Sequence, residues 1–345
     1  MIPSQLNSLT WQVLFEALRQ DPERQRLEAL ASRHPDTPEL QALCNFHGIL
    51  PLVDRGIGPV RDLLLESGAQ ERWRREVAGC VHGSLLRYRE LKRLLPLFAA
   101  ATLRVVPLKG PELSERLYGD PLLRTVSDLD LLVHPRDVPA AVALLEDEGY
   151  MADSGCSMLR GDVETENAAY HCTLLHPEEH WPVELHWSLT YAWLRMRFSQ
   201  ELQDRWLEAG QPGDEELLLY LCMHGATHFW LKIKWVADID RCVRSAPSLD
   251  WDRLLAMARQ QGCVRILHLG LYLARAVCGL SFTASVVAEM ERDPAVPVLA
   301  RRSMALWDVD ENPSPGYFWK ARYILTCREN PTDRIGMVRD YLVSR

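Results

Sequence analysis

The segment Ser127-Asp-Leu-Asp-Leu-Leu-Val133 constrains this chain more than any other. Its run of branched apolar residues predicts a strand over Asp128–Val133, and side chains two apart on a strand share a face. Asp128 and Asp130 therefore point the same way, about 6–7 Å apart along the backbone. Leu129 and Leu131 point to the opposite face, where a helix can cover them. Carboxylates this close repel and raise at least one pKa. A divalent cation removes that penalty, and an oxygen-only ligand set suits Mg2+ or Mn2+. The plain alternative is a pair of solvated aspartates at a strand end, so the flanking residues carry the argument.

Upstream, Leu103–Leu108 predicts a short strand and Pro111 opens a helix that stops before Gly119, with proline at a helix start and glycine just past its end. Lys109-Gly110 thus lies at a strand-to-helix junction. A helix start offers free N–H groups and the positive end of the dipole, which suits phosphate. Gly110 permits close backbone approach, Lys109 adds a point charge, and Arg124 can fork onto phosphate oxygens. Ordinary surface charge, or pairing with the aspartates, is the alternative for Lys109 and Arg124.

Downstream, His171–Leu175 and Val183–Trp187 read as the strands of a hairpin across the turn-rich HPEEHWP. Glu184 is a third carboxylate, fitted to be a metal ligand or a base that activates a hydroxyl; its alternative is a half-exposed strand residue. His186 shares its face and can touch phosphate, orient the glutamate or pack. His171, His176 and His180, with Glu178 and Glu179 around a turn, read as solvated loop chemistry without a role. His224 and His228 are one helical turn apart; Gly225 stands where a zinc protease would carry glutamate. They are read as core or interface histidines, or as pocket residues together with Asp238.

The chain organises into three parts. Residues 1–100 have helix-like leucine spacing, with one helix running roughly from Glu71 to Ala100. Residues 101–198 alternate strand, helix, strand, helix (Val138–Leu145, stopping at Gly149) and hairpin. Residues 199–345 are helical again, clearest at Glu215–Leu231, Trp251–Gln261 and Val264–Cys278, with a loop at Asn312–Tyr317. The expected class is α+β: an α/β core with a small mixed sheet, flanked by helical regions. With 39 Lys+Arg against 47 Asp+Glu the net charge is −8, which argues against a long nucleic-acid partner. Nine cysteines without a C-x-x-C pair suit a reducing, cytoplasmic compartment. No stretch approaches the ~20 apolar residues of a membrane span. Of eleven tryptophans, most are expected in the core, with one free to stack on a base or sugar.

Taken together, Leu108-Lys-Gly110, Leu117-Tyr-Gly-Asp120, Arg124, Ser127-Asp-Leu-Asp-Leu-Leu-Val133, Gly149-Tyr150 and Glu184-Leu-His-Trp187 resemble the nucleotidyltransferase superfamily that includes DNA polymerase β and the aminoglycoside nucleotidyltransferases. His47-Gly-Ile-Leu-Pro-Leu-Val53, His224-x-x-x-His228 and Trp235-Val-Ala-Asp238 extend the resemblance to its bacterial NTP_transf_5-like branch, over roughly residues 40 to 245. The resemblance implies a nucleotide bound with Mg2+ or Mn2+ on Asp128, Asp130 and Glu184. Lys109, Gly110, Arg124, Ser127 and His186 would serve its phosphates. The implied reaction moves a nucleoside monophosphate from a triphosphate to a small molecule, peptide or protein and releases pyrophosphate. Sugar transfer from a nucleotide sugar, and a non-catalytic nucleotide- or peptide-binding scaffold, are the alternatives. Lys109-Gly110 stands where the wider superfamily carries Gly-Ser, and Glu184 replaces the commoner aspartate.

Overall fold

The computed structural model describes residues 3–153, 170–176, 178, 181–191, 194, 196, 198–308 and 315–343. Its architecture is α+β, a small mixed five-stranded sheet flanked by helices. The chain enters through α1 (Leu9–Ala17), α2 (Arg24–Ala31), α3 (Thr37–His47), α4 (Leu50–Ile57), α5 (Arg61–Leu64) and α6 (Ser67–Ala100). The limits of α3 follow from local chemistry: the Asp36 side chain accepts the Glu39 N–H at 2.9 Å, and Gly48 ends the helix at φ +66°. Helix α6 is 34 residues long and starts a turn earlier than the apolar spacing predicts.

The sheet region follows as β1 (Val105–Pro107), α7 (Gly110–Tyr118), β2 (Leu129–Val133), α8 (Val138–Asp147), β3 (Met151–Ala152), β4 (His171–Leu175) and β5 (Pro182–His186). The strand order is β1-β2-β5-β4-β3. β2 and β5 run parallel; the other neighbours are antiparallel. β4 and β5 form the expected hairpin, while residues 177, 179 and 180 of its turn lie outside the described residues. The two-residue β3 is too short to leave a periodic trace in the sequence. On the back of the sheet, Leu129, Leu131, Val183 and Leu185 pack against Leu91, Leu94 and Phe98 of α6 and Val138, Val142 and Leu145 of α8. That cluster covers the face opposite the aspartates, as the period-two alternation of β2 requires.

The remaining chain forms α9 (Gln200–Ala209), α10 (Asp214–Thr227), α11 (Ile233–Ser245), α12 (Trp251–Gln261), α13 (Val264–Cys278), α14 (Ala284–Arg292), α15 (Ala295–Met304), α16 (Tyr317–Cys327) and α17 (Pro331–Val343). A second apolar cluster joins both helical regions: Leu14 and Val53 from the first share it with Leu267, Leu271 and Trp307 from the last. Arg241 of α11 also donates to the Leu18 carbonyl at 3.0 Å. Helix α10 ends at Thr227, four residues before the expected Leu231. Phe229 and Trp230 adopt φ of +59° and +56°, and the Trp230 ring folds back over Gly225, where a Cβ would meet it at 2.5 Å. Gly225 is therefore a packing requirement of that turn. Of the expected loop at Asn312–Tyr317, residues 312–314 lie outside the described residues and Tyr317 already begins α16. The described cysteines are buried, all but Cys80; Cys156 lies outside the described residues. Among the described residues, no helix is long and apolar enough to cross a membrane.

Candidate active site

The uncovered face of the sheet carries the chemistry. Parallel pairing of β2 with β5 sets Asp130 opposite Glu184 and Leu132 opposite His186. On the other side of β5, antiparallel β4 sets Thr173 opposite Glu184 and His171 opposite His186. Register alone therefore gathers two carboxylates and two imidazoles on one surface. His186 Nε2 lies 3.0 Å from Asp130 Oδ1 and 3.4 Å from Glu184 Oε2. The His171 ring stacks on that of His186 at 5.1 Å between centroids, with its Nε2 3.9 Å from Glu184 Oε2. Lys109 reaches in from the start of α7, with Nζ 3.0 Å from Asp130 Oδ1.

A cavity of 350 Å³ opens on this surface. Asp128, the residue before β2, lines it together with Lys109, Arg124, Ser127, Asp130, Glu184 and His186. The facing wall comes from Tyr220 and His224 of α10, His228 at its end, and Lys234 and Trp235 of α11, with Tyr170 and Tyr191 nearby. The rings of His224, His228 and Trp235 form one group, with centroids 4.6–5.4 Å apart.

Electrostatics divides the site. Burial alone would raise the Asp130 carboxyl, but the Lys109 ammonium and His186 outweigh it and hold Asp130 well below the usual carboxylate range. Asp128 is pushed up, by burial first and then by Asp130. The His186 hydrogen bond draws Glu184 down. His186 itself is raised: burial opposes its charge, and its hydrogen bonds to Asp130 and Glu184 override burial. Facing them, burial lowers His224 well below the ordinary histidine value and His228 to about 4, so both rings are neutral near pH 7. Burial, with Arg124 adding to it, also lowers Lys234 to about 8.

Of the alternatives read for His186, its contacts match the orienting one: Nε2 is engaged between two carboxylates. The structure corrects three assignments. Asp238 is fully buried and does not line the cavity: it accepts Arg124 Nε at 2.9 and 3.1 Å and the Tyr118 hydroxyl at 2.9 Å. Arg124 therefore commits its Nε edge to Asp238, leaving only the rest of its guanidinium to face the cavity. His171 belongs to β4 on the site face and not to a solvated loop. Gly110, at φ +75°, starts α7 beside the cavity without lining it, and its missing Cβ would sit 3.8 Å from the Asp128 carbonyl. Tyr170, Tyr191, Tyr220, Lys234 and Trp235 line the cavity without having been assigned from the sequence. The i, i+4 series Tyr220, His224, His228 was the one available signal.

The donor set fits a divalent cation. Ligand atoms of Asp130, Glu184 and His186 all lie within 4.8 Å of one another. Asp130 Oδ2 is buried without a hydrogen-bond partner, an acceptor that a cation would satisfy. Asp128 falls outside this trio and opens on the same cavity. The sequence profile of the NTP_transf_5 family, described as uncharacterised nucleotidyltransferase, matches residues 33–279. No curated protein and no solved structure matches the chain.

Proposed function

The chain belongs to this nucleotidyltransferase family, and from that premise we propose that it transfers a nucleoside monophosphate from a triphosphate to an acceptor hydroxyl or phosphate, releasing pyrophosphate. Residues 101–198 are the catalytic core in this reading, between the helical regions 1–100 and 199–345. The observation that carries the proposal is the pair Asp128 and Asp130 on one cavity wall, with Glu184 brought beside Asp130 by strand register.

Asp128, Asp130 and Glu184 hold Mg2+ or Mn2+ in this reading, with His186 at their side. Such an ion would neutralise phosphate charge and polarise the oxygens that attack and leave. The protein's own groups do the rest. Lys109, on a flexible stem at a helix start, exchanges its contact with Asp130 for a phosphate oxygen of the bound nucleotide. His186 fixes the orientation of both carboxylates by standing between them. The neutral rings of His224 and His228, packed edge-on and tilted against Trp235, offer aromatic edges and faces to a base or sugar in this reading. A cavity of 350 Å³ on a chain of net charge −8 suits a small-molecule or peptide acceptor.

The test is a panel of nucleoside triphosphates and nucleotide sugars with Mg2+ or Mn2+, read by pyrophosphate release and by mass spectrometry of the products. Pyrophosphate and a nucleotidylated acceptor are expected. Release of a nucleoside diphosphate from a nucleotide sugar would replace the proposal by sugar transfer. Binding without turnover across acceptors would favour the scaffold reading.

A further inference from the structure

The turn Phe46-His47-Gly48, at the end of α3, is bound residue by residue to the start of α11. Lys232 donates to the Phe46 carbonyl and lies over the Phe46 ring at 3.5 Å. His47, fully buried, accepts the Ile233 N–H at 3.3 Å through Nδ1, and its Nε2 lies 3.0 Å from the Trp307 carbonyl. Gly48 packs against the stem of Lys234: a Cβ there would lie 3.2 Å from Lys234 Cδ and 3.8 Å from both Cε and Nζ. A side chain at position 48 would meet that stem, and φ of +66° already disfavours one.

This clamp sends Lys234 into the cavity. Its ammonium has one hydrogen bond, a long one of 3.4 Å to the Thr125 carbonyl, and no ion-pair partner among the described residues. A half-buried ammonium on a cavity wall, held by one long hydrogen bond, is free to take an anion. Beside it, Arg124 is pinned through Nε to Asp238, and its remaining guanidinium N–H groups make no hydrogen bond among the described residues. Lys109, by contrast, is already engaged by Asp130.

We propose that Lys234 and Arg124 form a second anion seat in the cavity, which takes the two terminal phosphates of the triphosphate and then the departing pyrophosphate. A point charge next to a planar fork suits adjacent phosphoryl groups. The seat rests on the nucleotidyl-transfer reading for its substrate and not for its geometry. It also gives the first helical region a positioning role, exerted through His47 and Gly48 on Lys234.

Calorimetric titration with inorganic pyrophosphate, without and with Mg2+, tests it on wild type, Lys234→Met, Lys234→Arg and Gly48→Ala. Methionine keeps the stem against Gly48 and removes only the charge. We expect Lys234→Met to bind pyrophosphate about 10- to 100-fold more weakly at an unchanged melting temperature, the scale of a lost charge-assisted hydrogen bond. Lys234→Arg should recover most of that affinity, and Gly48→Ala should fall between. In turnover, Lys234→Met should raise KM for triphosphate while leaving nucleoside monophosphate binding unchanged. Wild-type pyrophosphate affinity in Lys234→Met, or no pyrophosphate binding by the wild type, overturns the seat even if the enzyme turns over. Lys234-dependent pyrophosphate binding without any nucleotide turnover supports the seat and refutes the reading beneath it.

Discussion

Asp238 makes the most demanding prediction, because it is fully buried and faces a buried cation. Its carboxylate accepts Arg124 Nε at 2.9 and 3.1 Å and the Tyr118 hydroxyl at 2.9 Å, so it ties α11 to the end of α7 and to the loop before β2. Asp238→Ala leaves the Arg124 guanidinium uncompensated in a site where it is 4 % exposed. Removing one partner of such a pair costs about 3–5 kcal/mol. The orphaned Tyr118 hydroxyl adds about 1 kcal/mol. The expected loss is therefore about 4–6 kcal/mol, a large part of the stability of an ordinary domain. Removing both charges with packing conserved, as Arg124→Met with Asp238→Leu, should cost only about 1–2 kcal/mol, because no charge stays buried alone. Urea unfolding at pH 7, followed by tryptophan fluorescence on Asp238→Ala, on Arg124→Met and Asp238→Leu singly, and on their double variant, measures the loss and the cycle. A loss near 1 kcal/mol for Asp238→Ala, or a double variant equal to the sum of the singles, would refute the claim that these groups form one desolvated unit.

Asp130→Asn should lower turnover by at least about 100-fold and abolish calorimetric binding of Mn2+, since it removes a charge from the carboxylate set; wild-type metal affinity would falsify the assigned ligand. His47 and His228 are held by burial at about 3 and about 4, against 6.5 for the exposed side chain. The unfolded chain therefore takes up protons that the native state refuses, and stability falls as pH drops from about 6.5 toward about 4. His47→Gln should reduce that slope by as much as about 1.4 kcal/mol per pH unit, measured by denaturation at pH 4.5 and 6; an unaltered slope contradicts the assignment. Gly56→Ala should be severe, because its Cβ would sit 2.0 Å from the Ala17 carbonyl oxygen; the loss should exceed about 3 kcal/mol. At Gly58, with nothing within 4 Å, the same change should be neutral or slightly stabilising. Equal melting temperatures for the two variants would remove the packing argument.

What could be read from the sequence was local. The shared face of Asp128 and Asp130, the helix start at Lys109-Gly110 and the hairpin of β4 and β5 follow from period-two alternation and cap chemistry, which act over a few residues. The position of His186 was harder, because it depends on β5 lying parallel to β2 in one register, a pairing between residues 56 apart in the chain. His171 stood at the start of an expected strand, yet its place beside His186 on the site face depends on the pairing of β4 with β5, which residue order does not report. Lys234 and Tyr220 were missed because nothing near them in sequence says which way α10 and α11 face. Asp238 was noticed for its motif and then misplaced, since burial behind an arginine leaves no trace in residue order. The early end of α10 hinges on a tryptophan ring crossing a glycine, a tertiary effect that helical periodicity cannot report.

The shared core of the two helical regions also has a consequence for biosynthesis. Leu14, Leu18 and Val53 leave the ribosome long before Leu267, Leu271 and Trp307, the side chains with which they share one cluster. The leading helices must wait, apolar surfaces uncovered, while some two hundred further residues are made. Proteins that shield nascent chains would find their natural target in that interval, and a nonsense codon after β5 would yield a product unable to bury its own first helices.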